Sequence, residues 1–69
     1  MDYSKLRGRI VEYFGTNEAF AKEMGFNPAT LSAKLNGKTQ WTSEEMEKAC
    51  ELLEIPIEEV FLYFFIKKL

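Results

Sequence analysis

Apolar positions along the chain repeat at the spacing of helices. Tyr3, Leu6, Ile10 and Phe14, with Val11 beside them, lie on one face of a helix predicted from about Ser4 to Phe14, with Ser4 as a candidate cap and Gly15 ending it. Phe20, Ala21 and Met24 mark a second helix over Asn17 to Met24, and Leu31 and Leu35 share one face of a third over Pro28 to Leu35. Only Gly25-Phe26-Asn27 separates those two. A short break containing Gly turns the chain sharply and crosses the helices at a steep angle, the geometry of a helix-turn-helix. Met46, Ala49, Cys50 and Leu53 form the buried stripe of a fourth helix, started by Thr42 with Glu45 in a capping box or by Ser43 as cap. Its Glu44, Glu45, Glu47, Lys48, Glu51 and Glu54 are expected to face water. Ile55-Pro56-Ile57 breaks that helix, and a short fifth one from Glu58 carries Val60, Phe61 and Phe64 inward.

The punctuation between these segments has a physical reading. Gly25 takes a positive φ without a Cβ clash, and Ala21 is small where a second helix crosses closely. Asn27 followed by Pro28 starts a helix: a side-chain acceptor for free N–H groups, then a residue whose missing N–H is harmless in the first turn. Asn36-Gly37 ends that helix in a turn-forming pair. Asn17 caps the second helix or, where Thr16 does so, stands in its first turn. Trp41 is expected to pack as a lid on the helix junction, since an exposed indole is a liability in so small a domain.

The run A-K-E-M-G-F-N-P-A-T-L-S-A-K-L-N-G-K, followed by E-K-A-C-E-L-L-E-I-P-I-E-E-V-F, resembles the Cro and repressor type of helix-turn-helix family, also called XRE. It is especially similar to small Cro-like proteins of phages and prophages, over roughly Leu6 to Phe61. The resemblance implies an all-α, compact five-helix, lambda-repressor-like DNA-binding domain with a central helix-turn-helix. It also implies a sequence-specific, dimeric transcriptional regulator that lays helix 28–35 in the major groove of a double-stranded operator. Carried over position by position, the readers are Asn27, Pro28, Ala29, Ser32 and Ala33, with Thr30 at the border, Asn36 and Lys38 at phosphates, and Asn17 donating to a phosphate. Lys34 departs from the family pattern, which has an apolar residue there; the apolar position moves to Leu35, and Lys34 becomes a candidate phosphate contact. The palette lacks Arg and Gln, so bidentate base contacts are missing and discrimination per half-site is expected to be modest.

A chain of 69 residues allows one domain, 1–69, and its 46% hydrophobic content sets it apart from disordered sequences. Cys50 stands alone and there is no His, which excludes an internal disulfide and the usual zinc sets; no metal, cofactor or small-molecule ligand is expected. The longest apolar run, Val60 to Ile66, falls far short of the ~20 residues of a spanning helix. No charged-then-apolar leader opens the chain, so a cytoplasmic location is expected.

The net charge of −2 argues against nucleic acid until its distribution is considered. Residues 1–40 hold Lys5, Arg7, Arg9, Lys22, Lys34 and Lys38 against Asp2, Glu12, Glu18 and Glu23. Residues 41–69 hold seven acids and three lysines, and Asn27 to Gln40 contains no acid. Lys5, Arg7 and Arg9 form a solvated face, or one or two of them touch phosphate.

Phe61, Leu62, Tyr63, Phe64, Phe65 and Ile66 are apolar all round, more than one helix face buries against so small a body. Burial against a two-fold partner, with 62–69 as a dimerisation tail, is the simplest solution. Folding back across the first helix is the alternative. A second functional class remains open beside operator binding: a protein-binding module on the same fold, such as an antirepressor, using the acidic helix and aromatic tail. Enzymatic work is not expected, because the chain offers no His, phosphate loop or nucleophile motif.

Overall fold

In the computed structural model, which describes residues 2–65, the amphipathic segments fold into α1 (Ser4–Phe14), α2 (Asn17–Met24), α3 (Pro28–Leu35) and α4 (Ser43–Leu52). A single 3-10 turn, Ile57–Glu59, leads into α5 (Val60–Phe64). No strand occurs among the described residues. α2 is the hub, packing on α1, α3 and α4, while α5 lies back against α1 and α4. The core is filled by Leu6 and Ile10 of α1, Phe20 of α2, Leu31 of α3, Leu53 and Phe64, all essentially without solvent contact. Phe14 and Phe20 close the α1–α2 corner with ring centroids 5.3 Å apart.

The helix starts refine the reading from sequence. Thr16 caps α2, its hydroxyl accepting the Ala19 N–H at 3.1 Å, which places Asn17 in the first turn. Asn27 caps α3 through the Thr30 N–H at 2.8 Å, with Pro28 behind it. Thr42, not Ser43, caps α4, and the capping box with Glu45 is complete. Ser4 does not cap α1; it is the first helical residue, and Asp2 accepts its backbone N–H.

Three helices end in the same hydrogen-bond pattern, with one residue in the left-handed region. After α2, Phe26 N–H donates to Ala21 O at 2.8 Å and Gly25 N–H to Lys22 O at 3.2 Å, Gly25 having φ 81°. After α3, Lys38 N–H donates to Ala33 O at 2.9 Å across Gly37. After α4 the pattern repeats, Ile55 N–H donating to Cys50 O at 2.8 Å, but the left-handed residue is Glu54 with φ 53°. A side chain there is strained where glycine is not.

Cations of α1 cap two of these ends. Arg7 Nη2 donates to Leu35 O at 3.1 Å, and Arg9 donates to Leu53 O at 2.9 Å and Glu54 O at 2.8 Å. Each guanidinium meets carbonyls that helix geometry leaves without partners, at the negative end of the helix dipole. Lys5 lies over the Tyr63 ring, 5.2 Å from its centroid. The three basic residues of α1 therefore act as struts within the fold.

The aromatic tail divides. Tyr63 and Phe64 fold back into the core, as the alternative reading had it, and cannot lie in a dimer interface while they do so. Phe61, expected inward, points out and is 66% exposed, because Tyr63 and Phe64 take the inward face of this short helix. Leu62 and Phe65 are exposed with it, and Ile66 lies outside the described residues. Trp41 is the lid expected of it: buried, edge-on to Phe64 at 5.0 Å and tilted against Phe26 at 6.1 Å.

Replacing Glu54 by Gly relieves the left-handed strain at the end of α4. The expected gain is about 0.5–1 kcal/mol, seen as a higher urea midpoint at unchanged slope. A lowered midpoint contradicts this account of the turn.

Candidate functional site

Helical spacing puts Leu31, Lys34 and Leu35 on the inward face of α3, and all three are buried. The outward face is what remains: Pro28, Ala29, Ser32 and Asn36 exposed, with Thr30 and Ala33 half-buried at its edges and Asn27 exposed at its start. It is a ridge of small side chains without a formal charge. Asn17 and Lys38 are both exposed at helix ends, Asn17 opening α2 and Lys38 following α3.

Several polar groups of this ridge are already engaged. The Asn27 carbonyl oxygen is used in its cap. Asn36 accepts from Arg7 Nη2 at 2.8 Å, and its amide donates to Ser32 Oγ at 3.4 Å. What the ridge offers a partner is mostly shape, a hydroxyl or two and methyl groups.

Lys34 corrects the reading from sequence. It is only 5% exposed, so it is not presented to a phosphate. Its ammonium donates to Glu45 Oε1 at 2.9 Å and to Gln40 O at 3.0 Å, and lies 5.4 Å from the Phe26 ring and 5.9 Å from that of Trp41. The position is thus a buried one, with the lysine's methylenes inside and its charge neutralised across the α3–α4 connector. Glu45, expected to face water, is half-buried for the same reason.

Burial pushes the Glu45 carboxyl up, but the Thr42 N–H and the Lys34 ammonium outweigh it and hold the group below its ordinary 4.5. The capping-box spacing was legible in the sequence; that the same carboxylate holds Lys34 was not, since the two lie on different helices.

Taken with Arg7 and Arg9, three of the six basic side chains of residues 1–40 are engaged by the chain's own carbonyls and a carboxylate. Lys5 leans on Tyr63, which leaves Lys22 and Lys38 exposed and without an ion pair among the described residues. Among the described residues no group of three or more Cys, Asp or Glu is placed to hold a metal ion, and no helix is long and apolar enough to cross a membrane.

A second surface was only partly foreseen. Ile57, Phe61 and Phe65, four residues apart, are 61%, 66% and 42% exposed, and the rings of Phe61 and Phe65 lie 5.0 Å apart. Ile57 was missed, although its spacing from Phe61 was the available signal.

Comparison with known proteins finds a family and solved structures that match. The family described as "Protein of unknown function (DUF739)" matches residues 1–67. Among solved structures the chain is similar to the modulator of repression of the temperate bacteriophage TP901-1 from Lactococcus lactis, solved in solution. The two are 44% identical with a TM-score of 0.83, over 93% of this chain and 86% of that one. No curated protein matches.

Removing the charge of Glu45 while keeping its cap, as in Glu45→Gln, leaves a buried ammonium without its counter-ion. The expected loss is about 1–2 kcal/mol, and Lys34→Met in the same chain restores most of it. The pH dependence has a fixed sign. A carboxylate whose pKa is lower folded than unfolded stabilises fully above the unfolded value and loses that contribution as pH falls through the folded one. Wild type therefore loses stability on acidification below about pH 4.5 more steeply than Glu45→Gln, in denaturant melts at matched pH; parallel curves contradict the assignment.

Proposed function

The chain belongs to the DUF739 family, and on that premise we propose that it is a phage-type regulator that modulates repression by binding a repressor protein, not by occupying an operator itself. The similar phage protein is a modulator of repression, and such a protein acts either on a repressor or on the DNA that the repressor reads. The observation that favours action on the repressor is the internal use of cations. Proteins that bind DNA tightly neutralise several phosphates, and each contact adds to the salt dependence. Lys22 and Lys38, with Lys5 leaning on an aromatic ring, are a poor supply for that. A repressor's DNA-reading face must itself be positive, and an acidic chain with net charge −2 is attracted to it and repelled by the operator.

Operator binding through α3, as the Cro-like resemblance has it, is kept as the second reading. One observation favours it: the small-residue ridge of α3 faces outward, with Asn17 and Lys38 exposed at the helix ends. In that arrangement Ala29, Ala33 and Thr30 meet thymine methyls, Ser32 meets any base edge and a homodimer doubles the contacts.

Anisotropy of a labelled operator duplex, titrated with the chain alone and with the chain plus the repressor encoded in the same genome, separates the two. The expected result is that the chain alone shows no sequence preference and a salt slope near −2 per chain. It displaces the repressor from the duplex. Sequence-specific binding by the chain alone, on the order of 10⁻⁸ M or tighter and abolished by Ser32→Glu in a folded protein, overturns the proposal in favour of operator reading.

A further inference from the structure

We propose that the outward face of residues 57–65 is a docking surface for a basic amphipathic helix of a partner protein, with one of that helix's apolar side chains seated in the cleft beside Trp41. The proposal rests on the reading that the chain works by binding a protein, and adds the surface and the partner's chemistry.

Ile57, Phe61 and Phe65, spaced four residues apart, and Leu62 are all exposed, and the Phe61 and Phe65 rings lie 5.0 Å apart. Helix-in-groove recognition uses such a row, met by anchors three and four residues apart on the partner. Phe65 also lines a half-open cleft of about 160 Å³, whose other walls are Tyr3, Gln40, Trp41, Met46 and Phe64. Apolar space of about this size accommodates a benzene-sized group, so a Leu or Phe anchor fits. The Trp41 indole N–H is buried and has no acceptor among the described residues.

Charge selects the occupant. Residues 41–69 hold seven glutamates and three lysines. Glu54 and Glu58, on the chain leading into and along the row, are exposed and make no ion pair among the described residues. A second copy of this chain would bring the same acids against them, and both nucleic acid and an anionic membrane are repelled. A helix with Lys or Arg flanking its apolar stripe is the complementary partner. Tyr63 and Phe64, held in the core, fix the row in place before anything binds.

The test uses two stapled helical peptides without tryptophan, identical in apolar positions, one flanked by Lys and Arg and the other by Glu. Trp41, the one tryptophan of the chain, reports from the cleft. Expected is a saturable change in its emission with the basic peptide, about tenfold tighter than with the acidic one, and a reversed preference in Glu54→Lys/Glu58→Lys. Phe61→Ser, at a position exposed enough to leave the fold intact, weakens binding about tenfold. Equal affinity for the two peptides, no binding of the basic one, or a dimer in sedimentation that Phe61→Ser dissolves overturns the inference. Binding of the repressor that is unchanged by Phe61→Ser and by Glu58→Lys also overturns it while leaving the proposed function standing. Failure of the wild-type chain to bind the repressor at all strikes the proposed function instead.

Discussion

Glu45 Oε1 accepts the Thr42 backbone N–H and the Lys34 ammonium, each at 2.9 Å, and so ties the inward face of α3 to the start of α4. Two helices, α3 and α4, have no large shared interface of their own; they meet through this carboxylate and through Phe26, Trp41 and the connector between them. With Leu31 and Leu35 buried in the core, Lys34 lies on the same inward face, and the outward ridge from Pro28 to Asn36 follows by elimination. A buried pair of this kind adds little net stability over an apolar substitute, but removing one partner is expensive. Here it lets a lysine share the inward face of α3 with Leu31 and Leu35 without leaving a buried charge unpaired.

The same economy runs through the other cations. Arg7 and Arg9 spend their hydrogen bonds on the carbonyl ends of α3 and α4, where the helices leave acceptors unmatched. In a chain this small, with little apolar surface to bury, long side chains that cross from one helix to another tie elements together that direct packing reaches weakly. The consequence is a separation of charge by depth. Basic groups are turned to the protein's own backbone, while most glutamates stay at the surface. A sum of formal charges by sequence region misses this, because it counts Lys34 as surface charge when it is 5% exposed.

Much of the fold was legible because its signals are local. Gly25, the Asn27-Pro28 start and the Thr42-Glu45 spacing each act within a few residues, and each sits where the sequence placed it. The apolar stripes of α1, α2 and α4 follow from 3.6-residue periodicity alone. Errors gathered where distant residues decide. Lys34 read as surface charge because its partner is eleven residues away on another helix. Phe61 read as core because nothing in a run of six apolar residues says which of them the body of the protein will accept. Arg7 and Arg9 read as a solvated or phosphate-facing side because their carbonyl partners are 28 or more residues distant. The position of the candidate ridge was recovered; the chemistry available around it was not.

That difference bears on what the ridge of α3 can recognise. Two short helices joined by a tight turn, as α2 and α3 are, display an outward ridge, but they do not determine what the ridge meets; the charge around it does. Here the ridge is neutral and its flanking cations are largely committed, so long-range steering is left to the glutamates of α4 and of the turn before α5. A helix of five residues such as α5 is not stable by itself, and it holds its shape because Tyr63 and Phe64 are anchored against α1 and α4. Exposed Phe61 and Leu62 are therefore displayed by core packing. The apolar surface that a partner would bury and the interior that keeps the monomer folded are opposite faces of one helical turn.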